Sequence, residues 1–213
     1  MYFAVRRIID VLISLVALIV LSPVFLVISI AIMIDSRGGI AFKQLRIGKN
    51  GKPYYMYKFR TMIPDAQNIG TGVYSFKGDP RVTKVGHFLR RTSLDELLQL
   101  WNVVKGDMAL VGPRSPVVGH FPEYESLNTE YKRRFSVLPG ITGLAQVTGR
   151  NELLWDEKVK LDNIYIDKVQ KYGPLYDFRI LCLTVGRVFS MTNISETQDN
   201  MEKNEAMKNA SDH

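Results

Sequence analysis

Two neighbouring carboxylates, Asp95 and Glu96, lie one residue beyond the segment 90–93 (Arg-Arg-Thr-Ser). A carboxylate can attack a phosphorus atom and form an acyl phosphate, provided that nearby cations neutralise the anionic electrophile. The same residues also have a structural explanation. Ser93 as N-cap with Glu96 three residues later gives the capping-box pattern S-x-x-E, and acidic residues suit the first turn of a helix. The local pattern therefore indicates either a site for phosphoryl chemistry or the start of a helix.

Several cations are spaced so that they could serve such a site. Arg114 lies in residues 111–116 (Val-Gly-Pro-Arg-Ser-Pro), where Pro and Gly constrain the backbone and aim the guanidinium, as bidentate phosphate recognition requires. A solvated loop arginine fits this short motif equally well. Lys58 and Arg60 alternate at the end of a β-prone run, which suits phosphate binding or the protection of an exposed strand edge.

The positive charge is concentrated in one part of the chain. Residues 37–91 contain twelve Lys and Arg against two Asp, whereas residues 1–36 are neutral overall. A basic zone beside an apolar run suggests anionic headgroups, phosphorylated substrates or both. Two alternatives stay open: a membrane-anchored binder of nucleic acid or acidic lipid, and a structural partner that anchors an assembly through residues 1–36. The single cysteine, Cys182, excludes a disulfide framework and favours a reducing, cytoplasmic side.

Residues 11–34 form an uncharged run dominated by Leu, Ile and Val, and about 20 such residues can cross a bilayer. Ser22-Pro23 lies near its centre, where Pro removes a backbone hydrogen bond and Ser22 can bond a freed carbonyl. Lys and Arg prefer the cytoplasmic side, and here they flank both ends of the run. A helix that bends at Ser22-Pro23 and returns to the same face satisfies both flanks. An ordinary kinked signal anchor is the alternative.

Beyond the membrane segment the pattern predicts a short β-hairpin followed by helices. The stripe of apolar residues in the last helix (Phe178, Leu181, Val185, Val188 and Phe189) is more typical of a core than of membrane contact. The predicted strands cover 40–47 and 53–60 around an Asn-Gly turn; the helices cover 83–91, 93–104, 121–135, 155–171 and 175–191; loops cover 61–80, 112–116 and 139–151. We divide the chain into a membrane segment (1–36), a cytoplasmic catalytic domain (37–192) and a disordered polar tail (193–213).

Several linked motifs resemble the small monotopic phosphoglycosyl transferases of bacteria. They match in order over nearly the whole chain, and two departures are Leu98 and Ser115, where the family commonly has Pro. The motifs are 42–48 (Phe-Lys-Gln-Leu-Arg-Ile-Gly), 57–62 (Tyr-Lys-Phe-Arg-Thr-Met), 91–108 (Arg-Thr-Ser-Leu-Asp-Glu-Leu-Leu-Gln-Leu-Trp-Asn-Val-Val-Lys-Gly-Asp-Met), 111–114 (Val-Gly-Pro-Arg) and 139–151 (Pro-Gly-Ile-Thr-Gly-Leu-Ala-Gln-Val-Thr-Gly-Arg-Asn).

The resemblance implies an enzyme that moves a phosphosugar from a UDP-sugar to polyprenyl (undecaprenyl) phosphate and releases UMP, as a first membrane step of glycan or exopolysaccharide assembly. Asp95 matches the family's nucleophile and Glu96 its dyad partner, and Mg²⁺ would bridge the phosphates to Asp95. The candidates for binding the substrate phosphates are Lys58, Arg60, Arg90, Arg91 and Arg114. Two further residues, Arg150 and Asp162, also match family positions, with less defined roles.

Fold and location follow from the same resemblance. We expect an α+β, mainly helical protein with a re-entrant membrane helix-hairpin broken at Ser22-Pro23, a small β-hairpin and a helical catalytic domain with interfacial helices. It would sit as a monotopic protein on the cytoplasmic face of the bacterial inner membrane, in contact with membrane lipids and without nucleic acid. The sequence leaves the transferred sugar and the oligomeric state open, a homodimer included.

Overall fold

The computed structural model describes residues 2–72, 75–76, 78–119, 121–149 and 153–190, without the side chains of residues 2–4 and 188–190. Arg150 and the polar tail 193–213 lie outside the described residues. The α-helices are Tyr2–Val20 (α1), Ser22–Asp35 (α2), Lys84–Thr92 (α3), Gln99–Lys105 (α4), Thr129–Arg133 (α5), Leu144–Thr148 (α6), Trp155–Tyr172 (α7) and Pro174–Ser190 (α8); the strands are Ala41–Ile47 (β1), Pro53–Phe59 (β2), Ala109–Val111 (β3) and Gly140–Thr142 (β4).

The N-terminal apolar run is broken where the sequence predicted. Pro23 has no N–H, so the carbonyl of Ile19, four residues back, loses its helical donor. The Ser22 hydroxyl donates to that carbonyl at 2.8 Å. Among the described residues, no single helix is long and apolar enough to cross a membrane. The pair Val5–Val20 and Ser22–Asp35 passes that test only when taken together, with a bend of 61° at the break.

Both ends of this helix pair are tied to the rest of the protein. At the start of α1, Arg6 donates to the carbonyl of Val111, and Arg7 donates to the carbonyls of Met108 at 3.1 Å and Val104 at 3.2 Å. At the end of α2, the Asp35 carboxylate accepts from the backbone N–H of Val85 at 2.9 Å. The helix pair therefore starts and finishes on the same folded unit.

The predicted β-hairpin is confirmed. Strands β1 and β2 pair antiparallel, with Leu45 opposite Tyr55 and Phe42 opposite Lys58. The turn is a short 3₁₀ segment in which Asn50 has φ 54°, the left-handed conformation that an Asn-Gly turn requires. On one face of β2, Tyr54 and Met56 are buried in the core. Because side chains alternate along a strand, Lys58 lies on that same face, further along towards the site, whereas Phe59 packs on the opposite face.

The capping box proposed for Ser93 and Glu96 is wrong. Ser93 has φ 57° and closes the C-terminal end of α3, its N–H bonding the carbonyls of Leu89 and Arg90. Within the part of the chain that the structure describes, its side chain makes no capping bond to the following turn. The predicted helix 93–104 is thus two elements, a 3₁₀ turn from Leu94 to Leu98 that carries the dyad and then α4.

Two further elements were missed by sequence reasoning. Strands β3 and β4 form a parallel pair, with Ala109 opposite Gly140 and Val111 opposite Thr142. A Cβ on Gly140 would lie 2.0 Å from the backbone nitrogen of Gly112, so this close approach needs glycine. The predicted loop 139–151 therefore contains β4 and α6, and the predicted helix 121–135 is broken into α5 and two flanking 3₁₀ turns.

The assignment of the α8 stripe to the core is confirmed for Leu181, which packs half-buried against the core, and is wrong for two other members of the stripe. Phe178 is 66% exposed and Val185 is 56% exposed, whereas the side chains of Val188 and Phe189 lie outside the described residues. The inward face instead carries Asp177 and Ile180. Burial of Asp177 is possible because Arg6 pairs with it at 2.9 Å and the Tyr165 hydroxyl donates to it at 2.8 Å.

Candidate functional site

Asp95 and Glu96 lie in the wall of a cleft of about 660 Å³. Both side chains are largely buried, at 7% and 9% exposure. The C-terminal cap of α3 at Ser93 turns the chain into the 3₁₀ segment, and this segment packs against β2. The left-handed conformation of Ser93 therefore places the carboxylates of Asp95 and Glu96 in the same wall of the cleft.

Glu96 is held by two cations from different parts of the chain. Its Oε1 atom accepts from Lys58 Nζ at 2.7 Å and from Arg114 Nη2 at 3.0 Å. Lys58 also lies 3.8 Å from Asp95 Oδ2, so one ammonium contacts both carboxylates. Arg114 therefore lines the cleft and pairs with Glu96 and is not a solvated loop arginine, and Lys58 is turned inward from the strand edge.

Burial and these ion pairs change the ionisation of the cations. Burial lowers the pKa of the Lys58 ammonium, although Glu96 and Asp95 act in the opposite direction. The charge of Glu96 raises the pKa of the Arg114 guanidinium, which stays protonated. The site thus combines one permanent cation with one whose charge is sensitive to alkaline pH.

The other predicted phosphate ligands differ in how the structure places them. Arg60 and Arg90 line the cleft. Arg60 bonds the carbonyl of Ser36 at 2.6 Å, and Arg90 bonds Thr61 Oγ1 at 2.9 Å and Ser75 Oγ at 2.7 Å. Arg91 is exposed and, within the described residues, is not part of the cleft wall.

Asp162 lies at the other end of the cleft and has a partner that the sequence did not reveal. Its Oδ2 atom accepts from Arg134 Nη2 at 2.8 Å and from Arg134 Nε at 3.0 Å, and both side chains are 1% exposed. Arg134 also donates to the backbone carbonyl of Arg114 at 2.8 Å. Burial raises the pKa of Asp162 to about 6, against the opposing effect of Arg134. Arg134 follows two other cations, Lys132 and Arg133, and nothing in that run distinguishes it.

The family model described as bacterial sugar transferase matches residues 1–191 of the chain. The chain belongs to the bacterial sugar transferases. The match covers the helix pair, the dyad and both ends of the cleft.

Relatives of this bacterial sugar transferase include much longer proteins. It is 42% identical over 189 residues to a UDP-glucose:undecaprenyl-phosphate glucose-1-phosphate transferase of Klebsiella pneumoniae, which covers 86% of this chain and 40% of the relative. It is 46% identical over 159 residues to the galactosyl transferase CpsE of Streptococcus agalactiae, covering 70% of this chain and 34% of the relative. An uncharacterized sugar transferase of Bacillus subtilis, EpsL, is 42% identical over 158 residues, covering 74% of each chain. The chain thus spans well under half of the first two relatives.

The carboxylate oxygens of the dyad in this sugar transferase suit a site that binds Mg²⁺ together with the phosphates of a substrate. Among the described residues, no group of three or more His, Cys, Asp or Glu side chains could hold a metal ion as a protein cage. Mg²⁺ does not require one, since it is commonly bound by one or two carboxylates, several waters and the phosphates of a substrate. The hard oxygen atoms of Asp95 and Glu96 face a cleft of about 660 Å³, large enough for a phosphorylated substrate, and fit that mode of binding.

Proposed function

We propose that this protein transfers a phosphosugar from a UDP-sugar to undecaprenyl or another polyprenyl phosphate and releases UMP. The observation that carries the proposal is the arrangement of Asp95 beside the Lys58–Glu96–Arg114 cluster, within a cleft whose wall also carries Arg90. A carboxylate among inward-facing cations suits attack on a diphosphate. The names of the Klebsiella and Streptococcus relatives support sugar transfer as the reaction type.

In the first step, an oxygen of Asp95 attacks the β-phosphorus of the UDP-sugar. A new oxygen–phosphorus bond forms, and the bond from that phosphorus to the bridging oxygen breaks. The bridging oxygen leaves with the electron pair as part of UMP, and the phosphosugar remains on Asp95 as an acyl phosphate. Arg114 and Lys58 lie within hydrogen-bond reach of Glu96 and can move onto the phosphate oxygens as negative charge develops.

In the second step, a phosphate oxygen of the polyprenyl phosphate attacks the same phosphorus. The bond to Asp95 breaks, the carboxylate is restored, and the product is a polyprenyl diphosphate sugar. Glu96 orients the incoming phosphate or accepts its proton, and the polyprenyl phosphate occupies the place that UMP has left. This order requires that the two substrates react in turn.

Magnesium is proposed as the cofactor. Asp95 and the oxygens of the bound diphosphate would hold it, since the dyad supplies two carboxylates and not a full protein cage. When bound, Mg²⁺ neutralises phosphate charge that would otherwise repel an anionic nucleophile.

We further propose that the bent helix pair enters and leaves one leaflet, with residues 37–192 as the catalytic domain on the cytoplasmic face. The hydrogen bonds of Arg7 at one end and Asp35 at the other support this topology, because they hold both ends of the pair on one folded unit. Large apolar side chains around the bend are exposed, among them Ile19 and Leu26. The exposed Phe178 of α8 supports an interfacial helix.

The main rival is a membrane-anchored protein that binds nucleic acid or acidic lipid through the basic zone 37–91. Such binding needs cations that face outward and reach many phosphates. Several cations of this zone instead bond inward, as Lys58 does to Glu96, Arg60 to Ser36 and Arg81 to Asp79. Their orientation favours a closed phosphate site over an open basic surface.

The proposal is tested with the full chain in lipid nanodiscs, a panel of UDP-sugars, undecaprenyl phosphate and Mg²⁺. We expect UMP release and a polyprenyl diphosphate sugar with at least one UDP-sugar. With UDP-sugar alone, UMP should reach at most about one equivalent and the protein should gain the mass of the phosphosugar. Absence of turnover with every sugar, together with salt-sensitive binding to DNA or anionic vesicles, would favour the rival.

A further inference from the structure

The cleft has a second end whose polar groups are chemically different from those at the dyad. Starting at Glu96, a chain of contacts passes to Arg114 at 3.0 Å, from the Arg114 carbonyl to Arg134 at 2.8 Å, and on to Asp162 at 2.8 Å. Arg134 and Asp162 neutralise each other. With Lys158 also lining the cleft there, this end carries charges of both signs, whereas Lys58 and Arg114 surround the carboxylates at the end beside Asp95.

The side-chain amide of Gln146 lies at this far end, and it has no hydrogen-bond partner among the described residues. Gln146 on α6 lines the cleft together with Trp155, Lys158 and Asp162. Within the described residues, neither Oε1 nor Nε2 of Gln146 has a hydrogen-bond partner, and both atoms are buried. The same holds for Asp162 Oδ1 and Arg134 Nη1. Buried polar atoms without partners are costly, so their grouping in one wall of the cleft points to a ligand that supplies both donors and acceptors.

The fold leaves room for the Gln146 amide and anchors the helix that carries it. A Cβ on Gly143 would lie 2.7 Å from Gln146 Oε1, so the glycine makes room for the amide. From α8, Arg187 donates to the carbonyls of Val147 at 2.8 Å and Thr148 at 2.6 Å, and this anchors the end of α6. The backbone that carries Gln146 is thus held in place before any ligand binds.

We infer that the Gln146 amide binds the uracil base of the sugar nucleotide, pairing with the edge that carries the N3–H donor and a neighbouring carbonyl acceptor. An amide offers one donor group and one acceptor side by side, which complements that edge. The sugar is bonded to the phosphate that Asp95 attacks and must lie near the dyad. The base is separated from that phosphate by the ribose and the α-phosphate, so it reaches the far end. This inference rests on the proposed function for the identity of the donor.

The test measures equilibrium binding of UMP, 3-methyl-UMP and glucose 1-phosphate to the full chain in nanodiscs. Gln146→Met keeps the length of the side chain and removes its hydrogen bonds. We expect it to weaken UMP binding by about ten- to a hundredfold and to leave glucose 1-phosphate binding unchanged. In the native protein, methylation of N3 should weaken binding by a similar factor, whereas Gln146→Met should bind both nucleotides equally. Gln170→Met, an exposed change on α7, is the matched control and should bind UMP normally.

Three results would overturn the inference. Gln146→Met could bind UMP as tightly as the native protein, or it could lose affinity for glucose 1-phosphate, which would assign the amide to the sugar. The third is that methylation of N3 weakens nucleotide binding equally in the native protein and in Gln146→Met. Because the assay measures binding of a nucleotide without turnover, it separates this inference from the proposed reaction. A protein that transfers phosphosugars but binds UMP independently of Gln146 refutes the inference alone. A protein that binds UMP through Gln146 but never releases UMP from UDP-sugars refutes the reaction alone.

Discussion

The Lys58 ammonium lies 2.7 Å from Glu96 Oε1, and this ion pair joins strand β2 to the turn that carries the dyad. Burial lowers the pKa of Lys58 below its ordinary value of 10.5. Since the charged form is the one that holds Glu96 and can meet a phosphate, activity should fall on the alkaline side at a pH below 10.5. In Lys58→Arg, whose guanidinium stays charged, that alkaline limit should move to higher pH.

The readout is the position of the alkaline limit and not the height of the rate profile, so a poor fit of the longer side chain does not obscure it. Lys105→Arg is the matched control, because the Lys105 side chain is 40% exposed and pairs with Asp107 outside the dyad. An unchanged limit in Lys58→Arg would assign the alkaline decline to another group.

The two carboxylates should respond differently to conversion into amides. Asp95→Asn removes the nucleophile while keeping its shape, so neither turnover nor a phosphosugar adduct should be detected by intact mass. Glu96→Gln keeps an acceptor oxygen for Lys58 and Arg114 but removes the charge that holds both cations. It should form the adduct slowly and turn over poorly. An adduct in Asp95→Asn would contradict the covalent mechanism.

Loss of the buried ion pair between Arg134 and Asp162 should destabilise the protein. Arg134→Met leaves Asp162 buried without its partner, which costs about 3–5 kcal/mol, whereas the exposed pair of Arg133 and Asp167 is worth about 0–1 kcal/mol. Thermal denaturation in detergent should therefore show a large drop in Tm for Arg134→Met and a small one for Arg133→Met. Adding Asp162→Leu to Arg134→Met should recover much of the loss. Equal effects of the two single changes would show that the buried pair has no special role.

The sequence predicted the elements whose signal is local. The Asn50-Gly51 turn, the helix that begins after Thr83 and the break at Pro23 all depend on residues next to one another, and the structure confirms them. The capping box failed because a positive φ at Ser93 allows the same S-x-x-E letters to end one helix and begin a different turn.

Sequence patterns could not predict which residues far apart in the chain contact one another. The polar residue Asp177 is buried because Arg6, far away in the chain, pairs with it. Apolar periodicity in α8 could not tell a face that contacts the core from one that is exposed, since both repeat at helical spacing. The pairing of Arg134 with Asp162 depends in the same way on tertiary contact.

The bend at Ser22-Pro23 should determine the topology of the N-terminus. Ser22→Leu with Pro23→Ala restores the backbone donor to Ile19 and removes the competing hydroxyl, so the helix should straighten and favour a full span. Straightening would carry the N-terminus across the bilayer and break the bonds of Arg6 and Arg7 to β3 and its neighbours. We therefore expect the double variant to be less stable and to expose residue 3 on the outer side.

The side of the membrane on which the N-terminus lies is measured by the accessibility of a cysteine introduced at residue 3. Phe3→Cys is made with Cys182→Ser, so that the introduced cysteine is the single thiol of the chain, and intact cells are treated with a membrane-impermeant thiol reagent. The cysteine should be protected when Ser22 and Pro23 are native and labelled when both are replaced. Labelling of the protein with native Ser22 and Pro23 would exclude the re-entrant hairpin and make the segment a kinked anchor. The chemistry proposed for Asp95 would survive that result, because the dyad and its cations would still face the cytoplasm.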